Sequence, residues 1–277
     1  MSERPLAAAV SGLGVVDPAR AVIAATDEGF TRGRAAFETL RVYAGRPFRL
    51  EEHLARLAGS AERLGLPDPD REALRALVHD ALDAAGVGDV GLRIYWTPGA
   101  PEAGPTAIVL VSPIPTWIEE ARARGQRLVS LVFPRRSAPW LLPGTKSVSY
   151  AAHVAAEAEA RRRGADDAVL VDVDGTVLEG TVTNVWWREG DVLLTPELEL
   201  GILAGETRAA LLGLAADEGF GVETGAFPLD RLLEAEEVFT SSSVREVMPV
   251  VSVDGRAYGS RGAAEAMLRA LRRLAAG

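Results

Sequence analysis

A chain of 277 residues with 48% hydrophobic and 25% charged side chains has the apolar content for a large buried core, in one or two domains. Its net charge of -9, with no basic stripe carrying interleaved aromatics, argues against a nucleic-acid partner. The absence of cysteine removes disulfides, thiolate metal sites and cysteine nucleophiles together.

The opening stretch "MSERPLAAAVSGLGVVDPAR" holds only a short apolar run broken by Gly and Pro, which fits neither a signal peptide nor a membrane span. A cytoplasmic protein acting on small molecules, with no membrane partner, is the expectation. Within it "SGLGVV" is a fragment of Gly-x-Gly-x-x-Gly with no βαβ unit after it, so no dinucleotide site is expected. Apolar residues at Leu50, Leu54, Leu57, Ala61 and Leu64 predict a helix ended by Gly65. A second helix is predicted from about Asp70 to Ala85, closed by Gly86. "VGLRIYWTP" and "TAIVLVSP" read as strands. Prolines 113 and 115 mark a domain boundary, with an N-terminal domain over 1–114, a linker over 115–120 and a larger domain over 121–277 that carries Lys146.

The second domain begins with a strand, "QRLVSLVF", then a loop through Lys146 and a helix from about Ser149 to Arg163. "DAVLVDVDGTVLEG" predicts a hairpin turning at Asp174-Gly175, and "TNVWWREGDVLLTP" a second one turning at 189–191. A helix starts near Gly205, a strand runs through "EEVFTSS", and a helix closes the chain. The fold class is α+β, in two domains with mostly antiparallel strands.

Lys146 is the one lysine among 30 basic residues, and Asn184 the one asparagine. GC-rich coding explains why arginine replaces lysine elsewhere, but not why this lysine survives. An amine can deprotonate and form a Schiff base with an aldehyde, whereas a guanidinium cannot. A lysine joined to pyridoxal phosphate requires a carboxylate for the pyridine nitrogen and an anion cradle at a helix N-terminus. Glu179 at a strand end, "GETR" (205–208) opening a helix and "TSSS" (240–243) ending a strand are candidates for these parts. His53, His79 and His153 lie far apart in the sequence, and no metal site is expected.

In this order the motifs resemble the class IV aminotransferases, the fold-type IV pyridoxal-phosphate enzymes. The family includes branched-chain aminotransferases, D-amino acid transaminases and aminodeoxychorismate lyases. The resemblance runs from "FTRGRAAFETLRVYAGRPFRLEEHLARL" through "TKSVSYAAH", "VLEGTVTNVWW" and "GILAGETR" to "EVFTSSSVREVMPV". It implies a cofactor at the domain interface of a homodimer, with Lys146 as both the Schiff-base residue and the acid/base. Glu179 would hold the pyridine nitrogen, and Arg56, Glu206, Thr207, Ser242 and Ser243 the phosphate. Leu203 would pack on the ring, and Asn184 would brace the Glu179 strand.

Substrate choice is carried by fewer residues. Where relatives often read Gly-Asp-Gly before "FETLR", this chain has "RGRAAFETLR", which places Arg34 at the acidic position with Arg32 close by. Arg93 aligns with a carboxylate-binding arginine of branched-chain relatives. Pro98 stands where many D-amino acid enzymes and lyases carry an arginine, and no Arg-x-His trap follows Gly99. Val244 and Arg245 occupy the turn after the serine run. Phe37 and Trp140 are further lining candidates. The leading expectation is a transaminase for D-alanine or D-glutamate with pyruvate or 2-oxoglutarate, binding carboxylate through Arg34 and Arg93. An aminodeoxychorismate lyase is the second and an L-branched-chain aminotransferase the third. A pyridoxal-phosphate-binding protein without turnover, or a folate-pathway partner subunit, is the reading outside enzymes.

Overall fold

The computed structural model describes residues 4–86, 88–134 and 142–277. The chain divides into two compact units, and Thr145–Tyr150 clusters with the first although it lies in sequence within the second. The units divide at Pro115, and the Lys146 segment belongs with the N-terminal unit, a correction to its assignment to the second domain. The cause is backbone pairing: Ala36 bridges Ser147, Phe37 N–H donates to Lys146 O (3.1 Å) and Val148 N–H to Ala35 O (3.0 Å).

The first unit runs β1 (Ala7–Val10), β2 (Gly14–Val16), α1 (Glu28–Thr31), β3 (Ala36–Tyr43), β4 (Arg46–Pro47), α2 (Leu50–Arg63), α3 (Arg71–Ala85), β5 (Val90–Thr97) and β6 (Thr106–Pro113). Its sheet is antiparallel throughout, in the order β2-β1-β6-β5-β3-β4. Alternation along β3 sends Ala36, Leu40 and Val42 to one face, where Leu54, Leu57 and Ala61 of α2 and Leu74, Val78 and Ala81 of α3 join them in one core. Full burial of each leucine contributes on the order of 2 kcal/mol. Phe37, Thr39 and Arg41 take the opposite face. Helix α3 matches the prediction, capped by the Asp70 carboxylate and closed by Gly86 at φ 63°.

The second unit contains α4 (Trp117–Arg124), β7 (Gln126–Val132), α5 (Ala151–Arg162), β8 (Asp167–Val171), β9 (Val177–Gly180), β10 (Asn184–Glu189), β11 (Val192–Pro196), α6 (Glu206–Leu214), β12 (Gly221–Gly225), α7 (Leu229–Glu234), β13 (Glu237–Ser242), β14 (Glu246–Val253), β15 (Arg256–Ala257) and α8 (Gly262–Ala276). The expected linker is helical from Trp117 onward, because the prolines end the strand before it and leave 117–124 unbroken. Both predicted hairpins form, as β8–β9 and β10–β11. The sheet runs β12-β11-β10-β13-β14-β7-β8-β9, with β15 on β14. It is mostly antiparallel, as expected, but β11–β12, β7–β14 and β7–β8 pair in parallel. Its core is built on Trp187, Val185, Leu194, Val238 and Phe227.

Candidate active site

Lys146 reaches its place through β3. Pairing of its strap with Ala36 and Phe37 sets the main chain, and its N–H donates to Ser60 Oγ on α2 (3.2 Å). Its Nζ lies 4.3 Å from the centre of the Phe37 ring and 6.0 Å from that of Tyr150, so aromatic faces hold the amine. Phe37 in turn stacks on Tyr95 of β5 and meets Tyr150 edge-on. Arg93 lies opposite Thr39 on the same sheet face as Phe37 and Tyr95, and is exposed. The lysine, its ring support and one arginine therefore share a face that the core does not use.

On the core face of β3, between Ala36 and Leu40, stands Glu38, with no exposed surface. Its Oε1 accepts from Arg56 Nε (2.8 Å), and its Oε2 from Arg56 Nη2 (2.6 Å) and His53 Nδ1 (2.7 Å). Burial alone would raise the carboxyl, but the Arg56 charge and these hydrogen bonds bring it down to about 2. Arg34 is half-buried, and its guanidinium donates to Glu28 (2.6 Å), to Leu64 O (3.0 Å) and to Gly65 O. It closes the C-terminus of α2, where the sequence reading had it awaiting a substrate carboxylate.

In the second unit Glu179 sits on β9, buried, and its Oε2 accepts from Leu203 N–H (3.0 Å). Asn184 opens β10 and donates from Nδ2 to Leu203 O (3.0 Å). Both main-chain groups of Leu203 are thus held by side chains singled out in the sequence, and Asn184 braces the Leu203 segment. A Cβ at Gly205 would stand 2.0 Å from Asn184 Oδ1, so any larger residue at the N-cap of α6 would displace that side chain. No side chain caps that helix. Glu206 opens it and Thr207 is buried behind.

The hydroxyl run comes to the same end of the sheet. Asn184 pairs with Ser241, α6 packs on β13, and Ser243, Val244 and Arg245 form the loop closed by the Ser242–Glu246 pair. Ser242, Ser243 and Val244 are half-buried. Arg245 Nη1 donates to Asp167 Oδ2 (2.8 Å) and its guanidinium lies 5.2 Å from the Trp117 ring, so its charge is engaged inside the unit. Glu246 holds a left-handed backbone, φ 56°, and is wholly buried. Its carboxylate takes Arg122 Nη2 (3.0 Å) and Arg272 Nε and Nη2 (3.0 and 2.6 Å). Arg122 also donates to Arg245 O (2.7 Å) and Val247 O (3.2 Å), pinning the loop from behind. Sequence reading missed Glu38, His53, Arg122, Glu246 and Asp167. The one available signal was Glu38 inside "FETLR", an acid at a core-facing strand position. Trp140 lies outside the described residues.

The donor sets fit pyridoxal phosphate. One unit offers an amine, an arginine held by a buried carboxylate, and beside Lys146 the buried Thr145 Oγ1 with no hydrogen-bond partner among the described residues. The other offers a buried carboxylate bonded to Leu203, in the segment that leads into α6, and at Gly205 a helix N-terminus that no side chain caps. Among the described residues no helix is long and apolar enough to cross a membrane, and no trio of metal-ligating side chains gathers.

Comparison with known proteins shows the family. The family model for amino-transferase class IV matches residues 35–253. A bifunctional aminodeoxychorismate lyase / D-amino acid transaminase of Mycobacterium tuberculosis is 35% identical over 259 residues, 87% of this chain and 89% of that one. The fold IV-transaminase CpuTA1 from Curtobacterium pusillum superimposes with a TM-score of 0.87 at 36% identity, covering 94% of this chain and 92% of its own. A hypothetical aminotransferase from Mycobacterium tuberculosis, solved with alpha-ketoglutarate and PMP bound, gives 0.90 at 31% identity, covering 96% and 97%. A solitary lysine on an aromatic face, a buried carboxylate bonded to the segment that leads into α6 and this likeness along the chain have one reading: the chain belongs to the class IV aminotransferases, the pyridoxal-phosphate enzymes of fold type IV.

Proposed function

We propose that the protein is a transaminase that moves an amino group between a D-amino acid (D-alanine or D-glutamate) and a 2-oxo acid (pyruvate or 2-oxoglutarate), in two half-reactions. The observation that carries the aminotransferase part is the seating of Lys146 Nζ against Phe37 on a sheet face shared with Arg93. The D-specific part is supported by the 35% identity to a relative named for D-amino acid transamination.

Pyridoxal phosphate, when bound, supplies the carbonyl that accepts the amino group and a ring that withdraws electrons from the substrate Cα. Lys146 Nζ takes the proton from Cα as general base and returns one as general acid. Glu179 holds a proton on the pyridine nitrogen, keeping the ring cationic. Arg56, the α6 N-terminus with Glu206 and Thr207, and the Ser242–Ser243 hydroxyls hold the phosphate. Leu203, kept in place by Glu179 and Asn184, supplies an apolar contact to the ring.

Arg93 binds the substrate carboxylate. Arg34 and Arg245 hold protein partners, so either could join only by giving up those contacts. Phe37 and Val244 line the substrate's apolar side. The working form in this proposal is a homodimer.

The test is the absorbance of the cofactor-loaded protein, followed on addition of D-alanine and, separately, L-alanine. Loss of the lysine-bound cofactor band with D-alanine alone, with one pyruvate formed per site, supports the proposal. No change with either enantiomer sinks it. The name of the bifunctional relative also favours a second reading as an aminodeoxychorismate lyase, for which 4-aminobenzoate and pyruvate would appear from aminodeoxychorismate.

A further inference from the structure

We infer that Glu38 is a positioning residue for cofactor-phosphate binding: its carboxylate, braced by His53, aims the Arg56 guanidinium. This rests on the reading of Arg56 as a phosphate ligand.

The core around Glu38 is built from alanine, leucine and valine, and a leucine there would pack without any charge to compensate. Apolar packing therefore gives no reason for an acid at this place. What the acid does is take both Nε and Nη2 of Arg56 side-on. Two parallel bonds fix the plane and the bearing of the guanidinium, where a single contact would leave it free to swivel. Arg56 is 13% exposed, so its fork is held at the margin of the core rather than folded into it.

His53 stands one turn earlier on α2, 1% exposed, and shares Oε2 with Arg56. Donation from Nδ1 to Oε2 assigns the proton to Nδ1 and stops the carboxylate rotating away from the arginine. A cation already oriented loses less rotamer freedom when an anion arrives, which raises affinity without adding a contact. The neighbouring residue on β3 is Phe37, the ring under Lys146 Nζ. One strand thus sets the lysine from one face and the phosphate-binding arginine from the other.

Full-length apoproteins are titrated with pyridoxal phosphate and with pyridoxal, which has the same ring and aldehyde but no phosphate. The readout is the ratio of the two dissociation constants. Glu38→Gln is expected to lower the preference for the phosphorylated form about tenfold while pyridoxal affinity stays within about twofold, and Glu38→Asp to recover part of the loss. Parallel weakening of both ligands, or an unchanged preference, overturns the inference.

Arg56→Met separates this from the underlying reading. If Arg56→Met keeps the wild-type preference, Arg56 is not the phosphate ligand and the reading fails together with the inference. If it loses the preference while Glu38→Gln keeps it, only the positioning role falls. Should Glu38→Gln prove unfolded by circular dichroism, His53→Gln is the second variant. It is expected to lower the same ratio about threefold, and no change refutes the role.

Discussion

Glu38 in the first unit and Glu246 in the second are both completely buried beside two basic side chains, and the two clusters do different work. Glu38 lies mid-strand on β3 and clasps Arg56 and His53 with both carboxylate oxygens. Glu246 lies at a hairpin corner with φ 56°, between Arg122 and Arg272, and Arg122 continues to the carbonyls of Arg245 and Val247. In the first cluster the acid orients a side chain and the backbone is ordinary. In the second the ion pairs stabilise a backbone that a non-glycine residue rarely adopts. A buried charge can thus serve as an aiming device or as a clamp, and the atom at the far end of the arginine tells which.

Substitutions can break or sharpen that contrast. The largest effect should fall outside both clusters: Lys146→Arg keeps the charge but loses the condensing amine, so turnover should drop by about a thousandfold or more while the thermal midpoint barely moves. Scanning calorimetry beside a steady-state assay checks both halves.

Next comes Glu246→Gln, which leaves two arginines facing a neutral amide and should cost about 4 kcal/mol in urea unfolding, the loop of 243–245 loosening with it. Glu38→Gln strands one arginine and should cost somewhat less, about 3 kcal/mol by the same measurement. If the two costs were reversed, the clamp reading of Glu246 would fail.

The Glu38 contribution also has a pH window. Its folded carboxyl is depressed from 4.5 to about 2, so the stabilisation is present above 4.5 and fades as pH falls toward 2. Wild type and Glu38→Gln should therefore converge in stability across that range, and a gap that stayed constant would contradict the assignment. Smallest is Gly205→Ala, whose Cβ meets Asn184 Oδ1 at 2.0 Å. About 1–2 kcal/mol is expected, and Asn184→Ala in the same chain should relieve much of it, as a double-mutant cycle would show.

The helices α2 and α3 were legible because a 3.6-residue apolar period and terminal glycines declare themselves locally. The run Ala7–Val10 was not, since alanines carry no strand signal and the pairing that makes β1 comes from β6, about a hundred residues away. The parallel ladders of the second sheet were missed for the same reason. They join strands through intervening helices, and register across such gaps leaves no mark in either strand.

At the candidate site Lys146 stood out through composition, and Glu179, Asn184 and Gly205 through their motifs. The partnerships Glu38–Arg56 and Asp167–Arg245 join residues 18 and 78 positions apart and have no periodicity to betray them. In a chain so rich in arginine, Arg34 and Arg245 gave no hint in the sequence that protein acceptors would claim them.

The solitary lysine has a practical corollary. Apart from the chain's own amino terminus, Lys146 Nζ is the protein's only primary amine. Any amine-selective reagent then reports on a single interior position. A mass shift mapped to Lys146 after acylation, apart from that of the amino terminus, reports the accessibility of this one side-chain amine, and its suppression by bound ligand reads occupancy without a substrate assay. The protein comes with a built-in single-point chemical probe.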